Sequence, residues 1–310
     1  MRLGSYVWTE HPGNPILSPR FPGLMIADPT VLMPEETPDG RWHLFANSMP
    51  PRLHHFASED GIRWCELGTL CPGAMRPFVR RVEGEYVLLY EQVRWPAPLR
   101  SRILLRRSTD LGRWGPAAEM VRPSLPWHGR FHRTCGNPCL VPWCGEWLLF
   151  YSAGVVFLPD CGFFEPRHVG LARSASPLGP WRCDPEPVLS PDPGDPLRNL
   201  GAGAIKVIPD VEAGVLWGFN NGIHRDAHGR SRSSVLLLSS RDGMRWRAEG
   251  SQPVLAPGGE GWKKALVYAL DARVLADAHT VRIYFNARDG WFFGRERIGL
   301  AVGVSRTELG

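Results

Sequence analysis

Four carboxylates in this sequence sit where a charge is costly. Asp28 opens the run Ala27-Asp28-Pro29-Thr30-Val31-Leu32, and Asp271 lies in Leu270-Asp271-Ala272-Arg273-Val274. Glu91 ends the stretch Tyr86-Val87-Leu88-Leu89-Tyr90, and Glu165 follows Phe163 and Phe164 and precedes Pro166. A carboxyl beside apolar rings loses hydration, so it keeps its proton to higher pH, as a general acid must. Glu165 is the first candidate for that role and Glu91 the second. Asp28 suits a base or nucleophile, and equally an Asp-Pro turn. Asp271 is a further catalytic candidate, with Tyr268 and Arg273 near enough in sequence to hold it in a structural ion pair. A proton donor and a proton acceptor in one site define acid–base chemistry.

The elements that must position these groups repeat. An apolar run flanked by Pro or Gly begins at Ala27, Met75, Gly136, Gly203 and Leu270. An aromatic strand follows each: WHLFANS, YVLLYEQ, WLLFYSAG, LWGFNNG and VRIYFNARDG. A third strand ends in a turn, and four times in a tryptophan: Trp64, Trp114, Trp181 and Trp246. A repeat of about 40–70 residues built only of short strands is the signature of a β-propeller. The fifth unit stops without its tryptophan, and Trp8 supplies it from the other end. Asn14-Pro15-Ile16-Leu17-Ser18-Pro19 after Trp8 matches Glu186-Pro187-Val188-Leu189-Ser190-Pro191 after Trp181. The expectation is an all-β, five-bladed propeller over residues 1–310, a single domain whose N-terminal strand completes the last blade and closes the ring.

In such a ring the inner-strand openings and the connections between second and third strands share one face, a central funnel. The openings place Asp28, Arg76, Asn137, Ala204 and Asp271 in equivalent positions. The connections carry Asp160, Phe164 and Glu165 in VVFLPDCGFFEPRH, Asn221 and His224 in NNGIHRDAHGRSR, and Trp291 in NARDGWFFGRER. Aromatic faces pack on the C–H faces of a sugar ring, while Asp, Asn, Arg and His bond its hydroxyls. Arg76, Asn137, Asp160, Phe164, Asn221, His224 and Trp291 are therefore the expected substrate contacts, and a small carbohydrate the expected partner. Arg76, Arg133, Arg198, Lys206, His224, Arg225 and His228 would make the funnel basic.

The NPILSP lead-in, the Ala-Asp28-Pro-Thr-Val opening, the turn-plus-Trp segments and Leu149-Phe150-Tyr151-Ser152-Ala153-Gly154 resemble the five-bladed propeller glycoside hydrolases. These are families 43 and 117, the fructosidase families 32 and 68, and the mannoside phosphorylases of family 130. The resemblance spans the chain at the level of the repeat. It implies a glycosidase, with Asp28 matching the general base of the family 43 first-blade motif. Two positions depart from that pattern. Asn137 stands where the family usually carries a second Asp, and Gly201-Ala202-Gly203-Ala204 where it carries the acid Glu. Three functions stay open: a glycosidase, a phosphorylase or transferase with a basic phosphate site, and a non-catalytic carbohydrate-binding propeller.

Composition narrows the rest. The 310 residues carry a net charge of +5, but the arginines are scattered, which argues against a nucleic-acid partner. Neither a leader-like apolar core in residues 1–12 nor a membrane-length apolar stretch is visible, so a cytoplasmic protein with no membrane partner is expected. Seven cysteines fit reduced thiols. The spacing of His132, Cys135, Cys139 and Cys144 puts Cys139 inside a strand and Cys144 at its far end, so neither a metal site nor a cofactor is expected.

Overall fold

The computed structural model describes residues 3–94 and 99–305. Strand β1 (Tyr6–Glu10) is the outermost strand of the last blade. Blade 1 comprises β2 (Ala27–Leu32), β3 (Trp42–Ser48), β4 (Arg52–Ser58) and β5 (Cys65–Pro72). Blade 2 comprises β6 (Ala74–Val82), β7 (Glu85–Arg94), β8 (Arg100–Ser108) and β9 (Ala118–Val121). Blade 3 follows with β10 (Cys135–Trp143), β11 (Glu146–Leu158), β12 (Phe163–Ser174) and β13 (Arg182–Cys183). Blade 4 has β14 (Ile205–Asp210), β15 (Val215–Arg225), β16 (Ser231–Ser240) and β17 (Arg247–Ala248). Blade 5 joins β18 (Leu266–Val274), β19 (Thr280–Arg288) and β20 (Glu296–Ser305) to β1. Every pairing inside a blade is antiparallel.

The strand-end tryptophans join the blades. Trp64 meets Tyr284 edge-on at 6.0 Å, Trp114 meets Phe45 at 6.1 Å, Trp246 meets Phe150 at 5.7 Å, and Trp8 meets Phe219 at 5.6 Å. In each case the outer strand of one blade packs on the fourth residue of the aromatic strand in the preceding blade. Blade 2 carries Leu89 at that place, and Trp181 joins its cluster. The turns that deliver Trp64, Trp114 and Trp246 share one device. Oδ1 of Asp60, Asp110 and Asp242 accepts the backbone N–H groups two and three residues on. Satisfied turn donors fix the direction in which each tryptophan leaves.

Ring closure runs in register from Tyr6 opposite Ser305 to Glu10 opposite Ala301. Gly303 has no Cβ because Trp8 lies there; one would sit 2.4 Å from its ring. Leu17 continues the seam by bridging Ile298. Deleting residues 1–19 would strip β20 of its partner and leave an unpaired edge. The truncated chain is expected to melt lower and aggregate on concentration. Unchanged melting and solubility would show that the closure contributes nothing.

Candidate active site

The blades converge on a cavity of about 490 Å³ where the inner strands begin. Its floor is built from slips in strand register. Pairing shifts between Ala27 and Thr30, Met75 and Phe78, Gly136 and Cys139, and Val267 and Leu270. The slips contain Asp28, Arg76, Asn137 and Tyr268, all of which line the cavity. Asp28, Arg76 and Asn137 have left-handed backbones, with φ of 53°, 52° and 49°. Residues other than glycine adopt that region at a cost, and such strain gathers at functional sites. Blade 4 uses Gly203 at φ 55°, where a Cβ would lie 2.1 Å from the Asn221 carbonyl oxygen.

The bulges correct one expected equivalence. The counterpart of Asp28 in blade 5 is Tyr268, and in blade 4 it is Gly203 rather than Ala204. Asp271 lies three residues further along, fully buried and outside the cavity lining. Its Oδ1 accepts Arg80 Nη2–H at 2.6 Å, and its Oδ2 accepts Arg80 Nη1–H at 2.9 Å and the Val31 N–H at 2.8 Å. This carboxylate ties blade 5 to blades 1 and 2. Despite burial, Arg80 and its hydrogen bonds hold its pKa below the usual value. Asp271→Ala would leave the Arg80 charge buried and unpaired, at a cost of about 3–5 kcal/mol in urea unfolding. Because its folded pKa is depressed, the stability Asp271 contributes is present above the unfolded pKa and lost on acidification through the folded one.

A second ring of side chains secures the bulges. Asn47, Glu91, Ser152, Asn221 and Asn286 occupy one place in the five aromatic strands, the sixth from Trp42, Tyr86, Trp147, Leu216 and Val281. Each reaches toward the next blade's opening. Asn286 Oδ1 accepts the Asp28 N–H at 3.1 Å, and Asn47 Oδ1 accepts the Arg76 N–H at 2.6 Å. Ser152 Oγ donates to the Gly203 carbonyl at 2.7 Å, and Asn221 Nδ2 donates to the Val267 carbonyl at 3.2 Å. Glu91 packs against Gly136, where a Cβ would lie 1.7 Å from its Oε2, and accepts Arg76 Nη1–H at 2.8 Å. Glu91 thus lines the cavity at a seam position, already paired, whereas a general acid needs a free proton.

Glu165 reaches the cavity by strand extension. The expected third loop is a continuation of β11 and β12, with Val156 opposite Glu165 and Phe157 opposite Phe164. Glu165 is 9% exposed. Burial pushes its pKa up to about 8; Arg76 opposes the rise, and Glu296 and Asp28 add to it. Glu296, at the start of β20, is raised to about 7 by burial, against Arg288 and with help from Asp28. Burial also raises Asp28, while Arg76 and a hydrogen bond from Asn47 pull it down. Burial works against the Arg76 charge too, but Glu91, Asp28 and Glu165 more than offset it, so the guanidinium stays protonated. The result is a set of buried carboxyls, among them Glu165 with its pKa raised above neutrality, held by the guanidinium groups of Arg76 and Arg288.

Asp28, Glu91, Glu165, Arg76, Asn137, Phe164 and Asn221 all line the cavity. Asp160, His224 and Trp291 do not. Asp160 accepts the Ser231 N–H at 2.8 Å and its Oγ–H at 2.6 Å, while Trp291 Nε1 donates to the Ser231 carbonyl at 2.8 Å. These two clasp the connections of blades 3, 4 and 5 beside the cavity. His224 is a buried strand residue opposite Arg232. The expected basic funnel is dispersed as well: Lys206 Nζ is buried on the Pro138 carbonyl, Arg198 pairs with Asp195, and Arg133 bonds the Pro123 carbonyl. Trp95, near Glu91 in sequence, lies outside the described residues.

Glu296, Asn286 and Arg288 lie in the fifth funnel connection but were not singled out as site residues, and Tyr268 was expected to hold Asp271 rather than to line the cavity. Arg288 Nη1 donates to Glu296 Oε1 at 3.1 Å, and Asn286 Nδ2 donates to Glu296 Oε2 at 3.3 Å. The alternation Arg295-Glu296-Arg297 and the common sixth position of Asn286 were the available signals. Tyr268 is 6% exposed and its hydroxyl has no hydrogen-bond partner among the described residues. Burial holds that phenol well above its ordinary pKa, so it is a donor at any ordinary pH. Among the described residues no cluster of metal-ligating side chains is found.

Five four-stranded antiparallel sheets around this cavity define the fold as a five-bladed β-propeller. The fold matches an N-acetylgalactosamine deacetylase from F. plautii, solved with blood group B trisaccharide, at TM-score 0.67 and 15% identity over 95% of each chain. A family 117 glycoside hydrolase from Zobellia galactanivorans matches at TM-score 0.61 and 14% identity, covering 99% of this chain and 92% of its own. An α-L-arabinofuranosidase from Lactobacillus brevis matches at TM-score 0.62 and 11% identity, over 93% and 92%. The expected likeness to the propellers of families 43 and 117 therefore holds at the level of the fold. No protein-family model matches the sequence, and no curated protein does.

Proposed function

We propose that this chain hydrolyses a small glycoside in the central cavity, with Glu165 as general acid and Asp28 as general base. The observation that carries this reading is the shared cavity. Both carboxyls line it: Glu165, whose pKa burial pushes up to about 8, and Asp28, which burial also raises while Arg76 and a hydrogen bond with Asn47 oppose the rise. Glu165 gives its proton to the glycosidic oxygen as the bond breaks. Asp28 takes a proton from the water that attacks the anomeric carbon. Arg76 keeps Glu91 in place and sustains the Asp28 charge. The phosphorylase alternative rests on Arg100 at the cavity, because Arg76 and Arg288 are already paired with Glu91 and Glu296.

A panel of 4-nitrophenyl pyranosides and furanosides, assayed from pH 5 to 9 with proton NMR of the first-formed sugar, tests the reading. Release of nitrophenol from one sugar with a defined anomeric outcome is expected. Release from none would overturn it.

Tyr268 contributes a donor to a sugar hydroxyl in this scheme. Tyr268→Phe is expected to lower kcat/KM about tenfold, the worth of one hydrogen bond. Its melting temperature should not fall, since the lost hydroxyl has no hydrogen-bond partner among the described residues. A lower melting temperature with unchanged kcat/KM would make Tyr268 structural.

A further inference from the structure

The cavity is chemically mixed. Besides its charged floor, it is lined by Met49, Val93 of β7, Leu99 and Phe164 of β12, with Arg100, Ser101, His132 and Thr134 among them. This wall continues out of the mouth as a ladder of rings. Phe164 lies 5.0 Å from Phe157, its cross-strand neighbour, and 4.6 Å from His132. His132 in turn lies 4.9 Å from Phe131. The ladder is anchored, because His132 Nδ1 accepts the Leu99 N–H at 2.9 Å. Its outer members are open to solvent, Phe157 at 48% and Phe131 at 66% exposure. The blade seams do not need these rings, since they are packed by the strand-end tryptophans. Large exposed aromatics in mutual contact mark a binding surface more often than chance.

We propose that this wall and ladder form a subsite for a hydrophobic leaving group, so that the substrate is an amphipathic glycoside of an alkyl or aryl alcohol. The inference rests on the glycoside-hydrolase reading of the same cavity. The sugar sits on the carboxylate floor, and the aglycone runs past Phe164 and His132 toward Phe157 and Phe131. Cleavage breaks the bond between the anomeric carbon and the aglycone oxygen. The proton from Glu165 ends on the released alcohol, the water oxygen ends on the anomeric carbon, and Asp28 receives the water proton. Phe164 and His132 share the cavity with the carboxylates and touch Phe157 and Phe131 outside its lining, an adjacency that argues for a single two-part ligand.

Matched methyl and octyl glycosides of common hexoses and pentoses separate this idea from the function on which it rests. The two alcohols have nearly equal acidity, so their kcat/KM ratio reports contacts and not chemistry. Each buried methylene adds about fourfold, and an octyl preference of about 50-fold or more is expected below the micelle concentration. The double variant Phe131→Ser, Phe157→Ser should reduce that ratio strongly; being a ratio, it is insensitive to partial loss of folded enzyme. A ratio near unity in the wild type, or a large one that the variant retains, overturns the subsite. If no glycoside is cleaved, the hydrolase reading fails by itself and calorimetric titration decides the subsite. Octyl glycoside binding about tenfold tighter than methyl, lost in the double variant, supports it. Equal or absent binding overturns it. Sedimentation covers the rival occupant: a self-association abolished by the double variant, with the octyl preference intact, assigns the rings to a second copy of the chain.

Discussion

Asp28→Asn is expected to cut turnover by about 10²–10⁴-fold, the usual contribution of a positioned general base. The substitution keeps the size of the side chain. It also keeps the backbone N–H of residue 28 that donates to Asn286 Oδ1. What it removes is the negative charge beside Arg76. Stability should move the other way. Burial raises the folded pKa of Asp28. Its charge therefore opposes folding, and stability falls as pH rises from the unfolded pKa through the folded one. The variant should melt no lower than the wild type at neutral pH. Activity and melting measured on the same preparation make the test decisive. Near-full turnover would reduce Asp28 to a structural residue, and a large drop in melting temperature would blame folding instead.

Glu165→Gln should show a loss that depends on the leaving group. Alkoxides need a proton as the bond breaks and nitrophenolates hardly do. The variant should lose about 10²–10⁴-fold on alkyl glycosides and far less on 4-nitrophenyl ones. The pH profile gives an independent readout. With a pKa of about 8, the acid is protonated below that value, so wild-type kcat/KM should decline as pH rises through it. The opposite limb belongs to the base: activity should be lost as pH falls through the pKa of Asp28, which burial raises from its ordinary value. Glu165→Gln should lack the alkaline limb. It should also melt above the wild type at pH 9, where the buried carboxylate is charged, with the difference shrinking toward pH 5. Equal losses on all leaving groups with the alkaline limb intact would move the acid to Glu296, a cavity carboxyl raised to about 7.

Much of this was legible in the repeat. Five aromatic strands, four strand-end tryptophans and the split fifth unit specify blades and closure, and the structure has both. Asp28, Arg76, Asn137 and Glu165 were assigned to the funnel from their places in the repeat, and they line the cavity. The misplacements share one cause. Asp271 was aligned with Asp28 by its flanking apolar residues, but the extra residues of a bulge move a side chain to the other face of the sheet. Asp160, His224 and Trp291 were read as free loop residues because long polar segments usually are. Here strand pairing runs to Leu158 and Arg225, and the segments satisfy one another.

The sequence by itself determined the all-β class and the number of blades. Each of these depends on a local pattern that recurs, and local patterns act through near neighbours along the chain. Only the tertiary structure decided which carboxyls share the cavity. Glu165 comes from blade 3, Asp28 from blade 1 and Glu296 from blade 5. Their raised pKa values come from burial and from one another, adjusted by Arg76 of blade 2 and Arg288 of blade 5. A charge responds to distance and hydration in space, and neither is defined until the ring is closed.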